Sequence, residues 1–195
     1  MKTFLALLAA LSCAFAQAAA RPNADARAVV QHAFASVLEA GGFRGQGRGN
    51  VLGPGLPELS GEVEVVFPDR IHVRSDALEF IALRDRAWID AFGVWTPTDR
   101  SLLPVTAFDV AAMRRAIASI TDVRAEGAAR MRQCAAHVFA FRSSGRLPGA
   151  AMRGDLRAWI CDASGRPARV EANDAGGDHL VFDFDWTRRA TVSAP

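Results

Sequence analysis

The stretch from residue 60 to residue 98 constrains the fold of this chain more than any other. Apolar side chains occupy every second position in its first half: Val63, Val65, Phe67, Ile71 and Val73. A period of two is typical of a β-strand with one buried face. A three-residue loop at residues 68–70 would pair Phe67 with Ile71 and Val65 with Val73. We predict this register because a slip of one residue would turn the apolar set toward water.

The next hairpin in this stretch is apolar on both faces. A two-residue turn at Arg84-Asp85 divides its side chains into two sets. One face carries Leu78, Phe80, Ala82 and Ile89, and the other carries Ile81, Leu83 and Trp88. An antiparallel sheet can leave one face in water, but a face of this composition needs cover. We therefore predict that another element covers the second face, and the nature of that cover bears on function.

The first twenty residues have the pattern of a secretory signal peptide. Lys2 precedes an apolar core at residues 4–11 that is too short to span a bilayer, and small residues follow it. We predict cleavage near residues 16–20 and a periplasmic mature protein. Lipidation at Cys13 is the alternative, but a lipobox has its leucine three positions before the cysteine, and Leu11 stands two before it.

Charge and motif content exclude several classes of function. The 195 residues include 23 basic and 21 acidic side chains, a near balance that argues against nucleic-acid binding. No other apolar run is long enough to cross a membrane. The chain lacks GxSxG, HExxH and GK[ST] motifs, and its four histidines are scattered. We predict no enzyme activity, no cofactor and no metal.

Two helices are predicted outside the strands. Asn23 can cap a helix that runs to about Ala40. A second helix is predicted from Thr106 to about Ile120, since Thr106 and Asp109 have capping-box spacing. Its apolar stripe consists of Val110, Met113, Ile117 and Ile120. This helix could cover the second face of the sheet, or it could be an ordinary packed helix.

Two cysteines remain after cleavage, and the strand pattern places them side by side. Residues 131–142 and 153–162 are predicted to form a long hairpin around a polar loop at residues 143–152. Pairing Cys134 with Cys161 places the apolar side chains together on the opposite face: Phe139, Phe141, Leu156, Ala158 and Ile160. Export permits a disulfide, so we predict one between these cysteines. Further strands are predicted at residues 168–173 and 179–186.

Three sequence patterns carry a resemblance to a known family. They are the FPDR turn at residues 67–70, the following hairpin with its tryptophan-bearing strand, and RAWICDASGRPARVE at residues 157–171. Together with the order of helices and strands, they resemble the LolA-like superfamily of periplasmic lipoprotein carriers and lipid-binding envelope proteins. The resemblance implies an α+β fold, in which a curved antiparallel sheet forms an open half-barrel. An N-terminal helix and a middle helix would cover its concave face.

The resemblance also implies a function. It predicts that the cavity binds a lipid, or the acyl chain of a lipoprotein, without catalytic residues, in outer-membrane lipoprotein or lipid trafficking. The expected lining residues are Val65, Ile71, Val73, Phe80, Ile89, Met113 and Ile117. The sequence leaves open which face lines the cavity. The alternative is an envelope protein-protein interaction or stress-sensing module whose cavity is filled by its own side chains.

Two further expectations concern the chain as a whole and the helical lid. A single domain is expected at residues 21–188, with a loose tail at residues 189–195. Carriers of this family use an arginine to latch their lid. Arg44 and Arg48 are candidates for that latch by position alone.

Overall fold

The computed structural model describes residues 23–50, 58–76, 78–103, 109–150, 152–173 and 176–195. The predicted signal peptide, Cys13 and Thr106 lie outside these residues, as does the side chain of Asn23. No helix in the described part of the chain is long and apolar enough to cross a membrane.

The described chain forms two α-helices, a short 3₁₀ turn at Arg100–Leu102 and eleven strands. The helices are α1 (Asn23–Glu39) and α2 (Val110–Ala118). The strands are β1 (Gly42–Gly49), β2 (Leu59–Val66), β3 (Arg70–Ser75), β4 (Glu79–Ala82), β5 (Ala87–Ala91), β6 (Val94–Thr98), β7 (Thr121–Arg130), β8 (Ala135–Ser143), β9 (Gly154–Cys161), β10 (Pro167–Asn173) and β11 (His179–Phe184).

All eleven strands belong to one open antiparallel sheet, in the order β6-β5-β4-β3-β2-β1-β11-β10-β9-β8-β7. The first and last strands pair in the middle, so β6 and β7 are the two edges. The chain must travel from one edge to the other between β6 and β7, and α2 lies within that connection. The predicted α+β half-barrel is confirmed, and its topology explains why a helix crosses the mouth of the sheet.

The concave face of the sheet carries the hydrophobic core. Helix α1 packs there with a stripe at helical spacing, in which Val30, Ala33, Phe34 and Val37 are fully buried. The ring of Phe34 packs edge to face against the ring of Phe141 in β8, with centroids 5.9 Å apart. The helix also contacts β1, β7, β9 and α2, so it spans the half-barrel.

The first hairpin has the predicted faces but a different register. Val65 pairs with Ile71 and Val63 pairs with Val73, which is two residues away from the predicted pairing. An even shift keeps each side chain on its face, so these four residues remain buried. The turn contains Phe67 because its ring packs against Phe43, with centroids 5.9 Å apart.

The second hairpin has the predicted turn and register. The Leu83 N–H donates to the Arg86 carbonyl at 2.8 Å, and Ile81 pairs with Trp88. Helix α2 does not cover the convex face to which Ile81 belongs, because its buried residues join the concave core. Ile81 is nevertheless buried, and it pairs across the strands with His72 and Trp88. Of the two alternatives for this helix, cover of the second face is therefore wrong, and a helix packed into the main core is observed.

Helix α2 starts later than predicted. Asp109 has an extended backbone, and its carboxylate accepts hydrogen bonds from the amides of Ala111 and Ala112 at 2.8 and 3.3 Å. Asp109 is thus the N-cap of the helix and not its third residue, because a carboxylate at the cap satisfies two amides that have no partner in the first turn.

The predicted disulfide between Cys134 and Cys161 is present, with Cα atoms 5.7 Å apart. The strand register differs from the prediction by two residues, since Ala136 pairs with Cys161. Strand β8 begins at Ala135, so Cys134 lies in the turn before it. The apolar side chains predicted to share the opposite face all lie in the core.

The C-terminal residues contact the sheet. Val192 is buried, and the Thr191 N–H donates to Glu64 Oε1 at 2.6 Å. Residues 189–195, which were expected to form a loose tail, are thus attached to β2 through Thr191.

We predict that Phe92→Asn raises the free energy of unfolding. Phe92 and Gly93 form a two-residue turn in which both have positive φ, 59° and 82°, as a type I′ turn requires. Phe92 is fully exposed and gains no packing, whereas asparagine adopts this conformation readily. Urea unfolding should show a gain of about 0.5–1 kcal/mol. Leu102→Asn, which removes another exposed apolar side chain outside a positive-φ position, should change stability little; an equal gain in both variants would contradict the strain argument.

We predict that removal of the disulfide lowers stability by about 3 kcal/mol, mainly by freeing the unfolded chain. Cys134→Ala/Cys161→Ala should show this loss in urea unfolding. A reducing agent should lower the stability of the unmodified protein to the same level and leave the double variant unchanged. Equal stability of oxidised and reduced protein would show that the disulfide contributes nothing.

Candidate functional site

The candidate site is the interior between the concave face of the sheet and the segments that cover it. All seven residues predicted to line a cavity belong to this interior. Six of them have exposed fractions of 8% or less: Val65, Ile71, Val73, Phe80, Met113 and Ile117. Ile89 is half-buried against the same core. The structure therefore brings the predicted set together on one face, and that face is the concave one.

A third cover, beside the two helices, is the segment between β8 and β9. The sequence suggested a polar loop, but Leu147, Ala150 and Met152 are almost completely buried in the concave core. Leu147 and Ala150 exchange two backbone hydrogen bonds of 2.9 Å. This small bridge satisfies the backbone polar groups while the apolar side chains turn inward, which explains why the expected polar loop is wrong. The Pro148-Gly149 turn between two apolar residues is the signal that could have indicated it.

Among the described residues, the polar contacts between α2 and its neighbours lie at its C-terminal end, where the Ser144 N–H donates to Ser119 Oγ at 3.2 Å and other donors reach carbonyl groups. Arg27 and Gln31 of α1 donate to the carbonyls of Ala118 and Ile117, at 3.0 and 3.1 Å. Ser143 at the end of β8 donates to the Ala116 carbonyl at 3.3 Å. The strands, in contrast, are joined by backbone ladders. Helix α2 is thus a cover attached by side chains and apolar packing.

A cleft of about 180 Å³ lies between α1 and α2. Its residues are Ala35, Leu38, Glu39, Arg114 and Ile117. Ile117 also belongs to the buried core, so the cleft reaches from solvent to the edge of the interior. If α1 and α2 move apart, they would therefore separate at this cleft.

The convex face has the opposite chemistry, because charged side chains alternate in sign across the strands. Arg44 forms ion pairs with Glu62, Glu64 and Asp185, and Arg48 approaches Asp183 at 3.6 Å. Arg44 and Arg48 therefore lie on the face opposite the helices, and neither is placed to latch a lid. Within the described residues, no group of three or more histidine, cysteine, aspartate or glutamate side chains could hold a metal ion.

Two carboxyl groups on the convex face have pKa values below their ordinary range. Burial raises the pKa of Glu79, but hydrogen bonds from His72 and Arg74 outweigh it. The pKa of Asp185 is lowered chiefly by its hydrogen bond with the Thr187 hydroxyl, with a further contribution from Arg44. These shifts arise from structural pairing across strands and do not indicate catalytic groups.

No family model matches this sequence, and no curated protein matches it. Solved structures do match. LprF from Mycobacterium bovis has a TM-score of 0.61 at 11% identity, covering 89% of this chain and 97% of LprF. The Mycobacterium tuberculosis lipoprotein LppX has a TM-score of 0.60 at 13% identity, covering 88% of this chain and 100% of LppX.

A LolA superfamily protein from Nitrosomonas europaea also matches, with a TM-score of 0.36 at 11% identity, covering 87% of this chain and 94% of that protein. At these identities the similarity concerns the fold. The predicted half-barrel, one open antiparallel sheet with two helices, is confirmed, and LprF and LppX have a similar fold.

We predict that Gly149→Ala loosens the β8–β9 cover. A Cβ at Gly149 would lie 2.6 Å from Phe184 Cζ, and the residue has φ +73°. Gly177 has φ +92° with no atom within 4 Å of its Cβ position, so Gly177→Ala carries the backbone strain without the clash. Urea unfolding should show Gly149→Ala to be less stable than this control by about 1–3 kcal/mol. Equal losses in the two variants would show that the loop does not press on the aromatic core.

We predict that acid lowers the stability of the protein, because two carboxylates on the convex face become protonated. Glu79 and Asp185 have pKa values lowered from 4.5 and 3.8, so they bind protons less readily in the folded state. Their contribution is present above these ordinary values and is lost as pH falls through the lower, folded values. The free energy of unfolding should therefore decline as the pH is lowered from 5 toward 2. Glu79→Gln should reduce the slope of the free energy of unfolding against pH. Glu39→Gln, on the exposed side of α1, should leave this slope unchanged.

Proposed function

We propose that this protein is exported to the periplasm and binds a lipid, or the acyl chain of a lipoprotein, between the half-barrel and its covers, without catalysis. The observation that supports this function is the nature of the cover. The interior is apolar, and on its open side it is closed by two helices and a loop instead of a second hydrogen-bonded sheet. A cover of this kind can move away without breaking the sheet.

The free energies involved permit such an exchange. Displacing α2 exposes chiefly Met113 and Ile117, which costs about 3–6 kcal/mol at about 1.5–3 kcal/mol for each side chain. An acyl chain gains about 0.8 kcal/mol for each methylene group removed from water. Burial of about eight methylene groups therefore offsets this exposure, and about four more offset the three side-chain hydrogen bonds to α2 at about 1 kcal/mol each. An ordinary fatty acyl chain is longer than this total. No specific polar contact is needed for binding.

We propose that the role of this binding is the transport of lipids or lipoproteins between envelope membranes. Export rests on the apolar N-terminal segment after Lys2. A lipid or lipoprotein that crosses the periplasm needs its acyl groups sheltered from water. An apolar interior with a movable cover provides this shelter. N-terminal sequencing of the protein recovered from the periplasm should find a start near residues 17–21.

A second candidate function is supported by the packing of the interior. Side chains of the protein already fill much of it, since six of the seven expected lining residues are 8% exposed or less. A permanently filled half-barrel would act as an envelope protein-protein interaction or stress-sensing module. Mass spectrometry of protein purified under native conditions separates the two functions. Bound phospholipid or fatty acid supports transport, and a ligand-free mass without uptake of a fluorescent lipid supports the module.

We predict that Gln31→Leu accelerates uptake of a fluorescent fatty acid by the delipidated protein. The change removes the hydrogen bond from Gln31 Nε2 to the Ile117 carbonyl and so favours the open position of α2. A net contribution of about 1 kcal/mol for this bond corresponds to roughly a fivefold faster uptake. Gln133→Leu is the matched control, because it removes a 2.8 Å bond to the Phe184 carbonyl away from α2. Equal rates in both variants would contradict entry beneath α2.

A further inference from the structure

A second cleft, of about 300 Å³, lies at the end of the half-barrel where α1 meets β1. Four separate segments form it: the turn after α1, the end of β2, the β9–β10 turn and the residues after β11. Its side chains include Phe43, Arg44, Arg166, Trp186, Arg188 and Arg189. We call it the arginine cleft. Nothing in the proposed lipid-binding interior accounts for its charge.

The charge of this cleft is unbalanced. Arg166, Arg188 and Arg189 form no ion pair within 4 Å among the described residues, although Arg188 is close enough to Asp185 to contribute to the lowering of its pKa. Asp185 is the acidic residue that lines the cleft, and it is already paired with Arg44. A larger groove of about 930 Å³ beside β7 contains four arginines and four carboxylates, so its charges cancel. The arginine cleft therefore concentrates positive charge in a chain that is otherwise close to neutral.

The cleft is also organised by aromatic rings. The Arg166 guanidinium lies 5.0 Å from the centroid of the Trp186 ring. Trp186 is itself fixed, because its Nε1 donates to the Pro167 carbonyl at 2.7 Å and its ring stacks on Phe184. A guanidinium held over a ring keeps its N–H groups at the edge, where they can donate to an anion.

The cleft adjoins the apolar interior. Phe43 lines the cleft and also belongs to the buried core, where it contacts Phe182 and Phe184 at centroid distances of 5.5 and 5.7 Å. An acyl chain beneath the covers could thus end beside Phe43 with its polar group in the cleft. Charged oxygens of a phosphate match arginine donors better than a neutral headgroup does.

We propose that the arginine cleft binds the phosphate of an anionic lipid headgroup, an inference that rests on the proposed function of the interior. Inorganic phosphate shares this chemistry and is the other source of such a ligand. The experiment uses the mature protein with three probes: dihexanoyl phosphatidylglycerol, dihexanoylglycerol with the same chains and no phosphate, and inorganic phosphate. Dissociation constants are measured by calorimetry.

The expected result is that the phospholipid binds at least about tenfold more tightly than the neutral lipid, because charge-assisted hydrogen bonds hold its phosphate. Arg188→Gln/Arg189→Gln should abolish this preference and leave binding of the neutral lipid unchanged. Arg84→Gln/Arg86→Gln, an equal change of charge on the β4–β5 turn, should leave both constants unchanged. Raising NaCl from about 0.05 to about 0.5 M should weaken binding of the phospholipid and leave binding of the neutral lipid unchanged.

The other outcomes separate the two proposals. Equal binding of both lipids, insensitive to Arg188→Gln/Arg189→Gln, would overturn the headgroup site and leave lipid binding intact. Binding of inorganic phosphate without either lipid would make the cleft a site for free phosphate and overturn lipid binding in the interior. Absence of binding by all three probes would overturn both.

Discussion

The structure depends on the need to cover the apolar concave face of a single open sheet. A β-sandwich solves this problem with a second sheet, but here the eleven strands form one layer with two free edges. The connection from β6 to β7 must cross between those edges, and it carries α2 over the concave face as it does so. Helix α1 and the β8–β9 segment complete the cover from either side. In the part of the chain that the structure describes, the interior is therefore closed by segments that the sheet does not hold by backbone hydrogen bonds.

The convex face allows this arrangement because it needs no cover over most of its area. Arginine and carboxylate side chains alternate across neighbouring strands, as in the contacts of Arg74 with Glu62 and Glu79, at 3.2 and 3.0 Å. Exposed ion pairs contribute little to stability one by one. Their main effect is to keep the convex face in contact with water. The concave face is then the one that is buried. The sheet can then present an apolar surface on one side only, which is the property that a movable cover requires.

Much of this architecture could be predicted from the sequence, because alternation defines the face to which each side chain belongs. The assignment of Phe139, Leu156 and Ile160 to one face was right for this reason, as was the disulfide. The registers of the first hairpin and of the β8–β9 hairpin were wrong by two residues, since such a shift preserves every face, whereas the register of the second hairpin was right. The sequence left open which set of side chains the β6–β7 helix covers, because alternation does not reveal the direction in which a sheet curves.

The parts of the site that sequence reasoning missed are those that the topology assembles. The burial of Leu147 and Met152 depends on where the β8–β9 segment crosses the mouth of the sheet. The arginine cleft joins residues 40–44 to residues 166 and 185–190, which approach because β1 and β11 pair in the middle of the sheet. The Pro148-Gly149 turn is a local signal for the first feature, whereas no local pattern indicates the arginine cleft.

Amide hydrogen exchange of the ligand-free protein tests most directly whether the cover can move independently of the sheet. The amides within α2, from residue 113 to residue 118, should exchange through a local opening whose free energy is well below that of global unfolding. The amides that join β2 to β3 should exchange only through global unfolding. If the α2 amides were as strongly protected as those of β2 and β3, the helix would be a fixed part of the core and the account of a movable cover would be wrong.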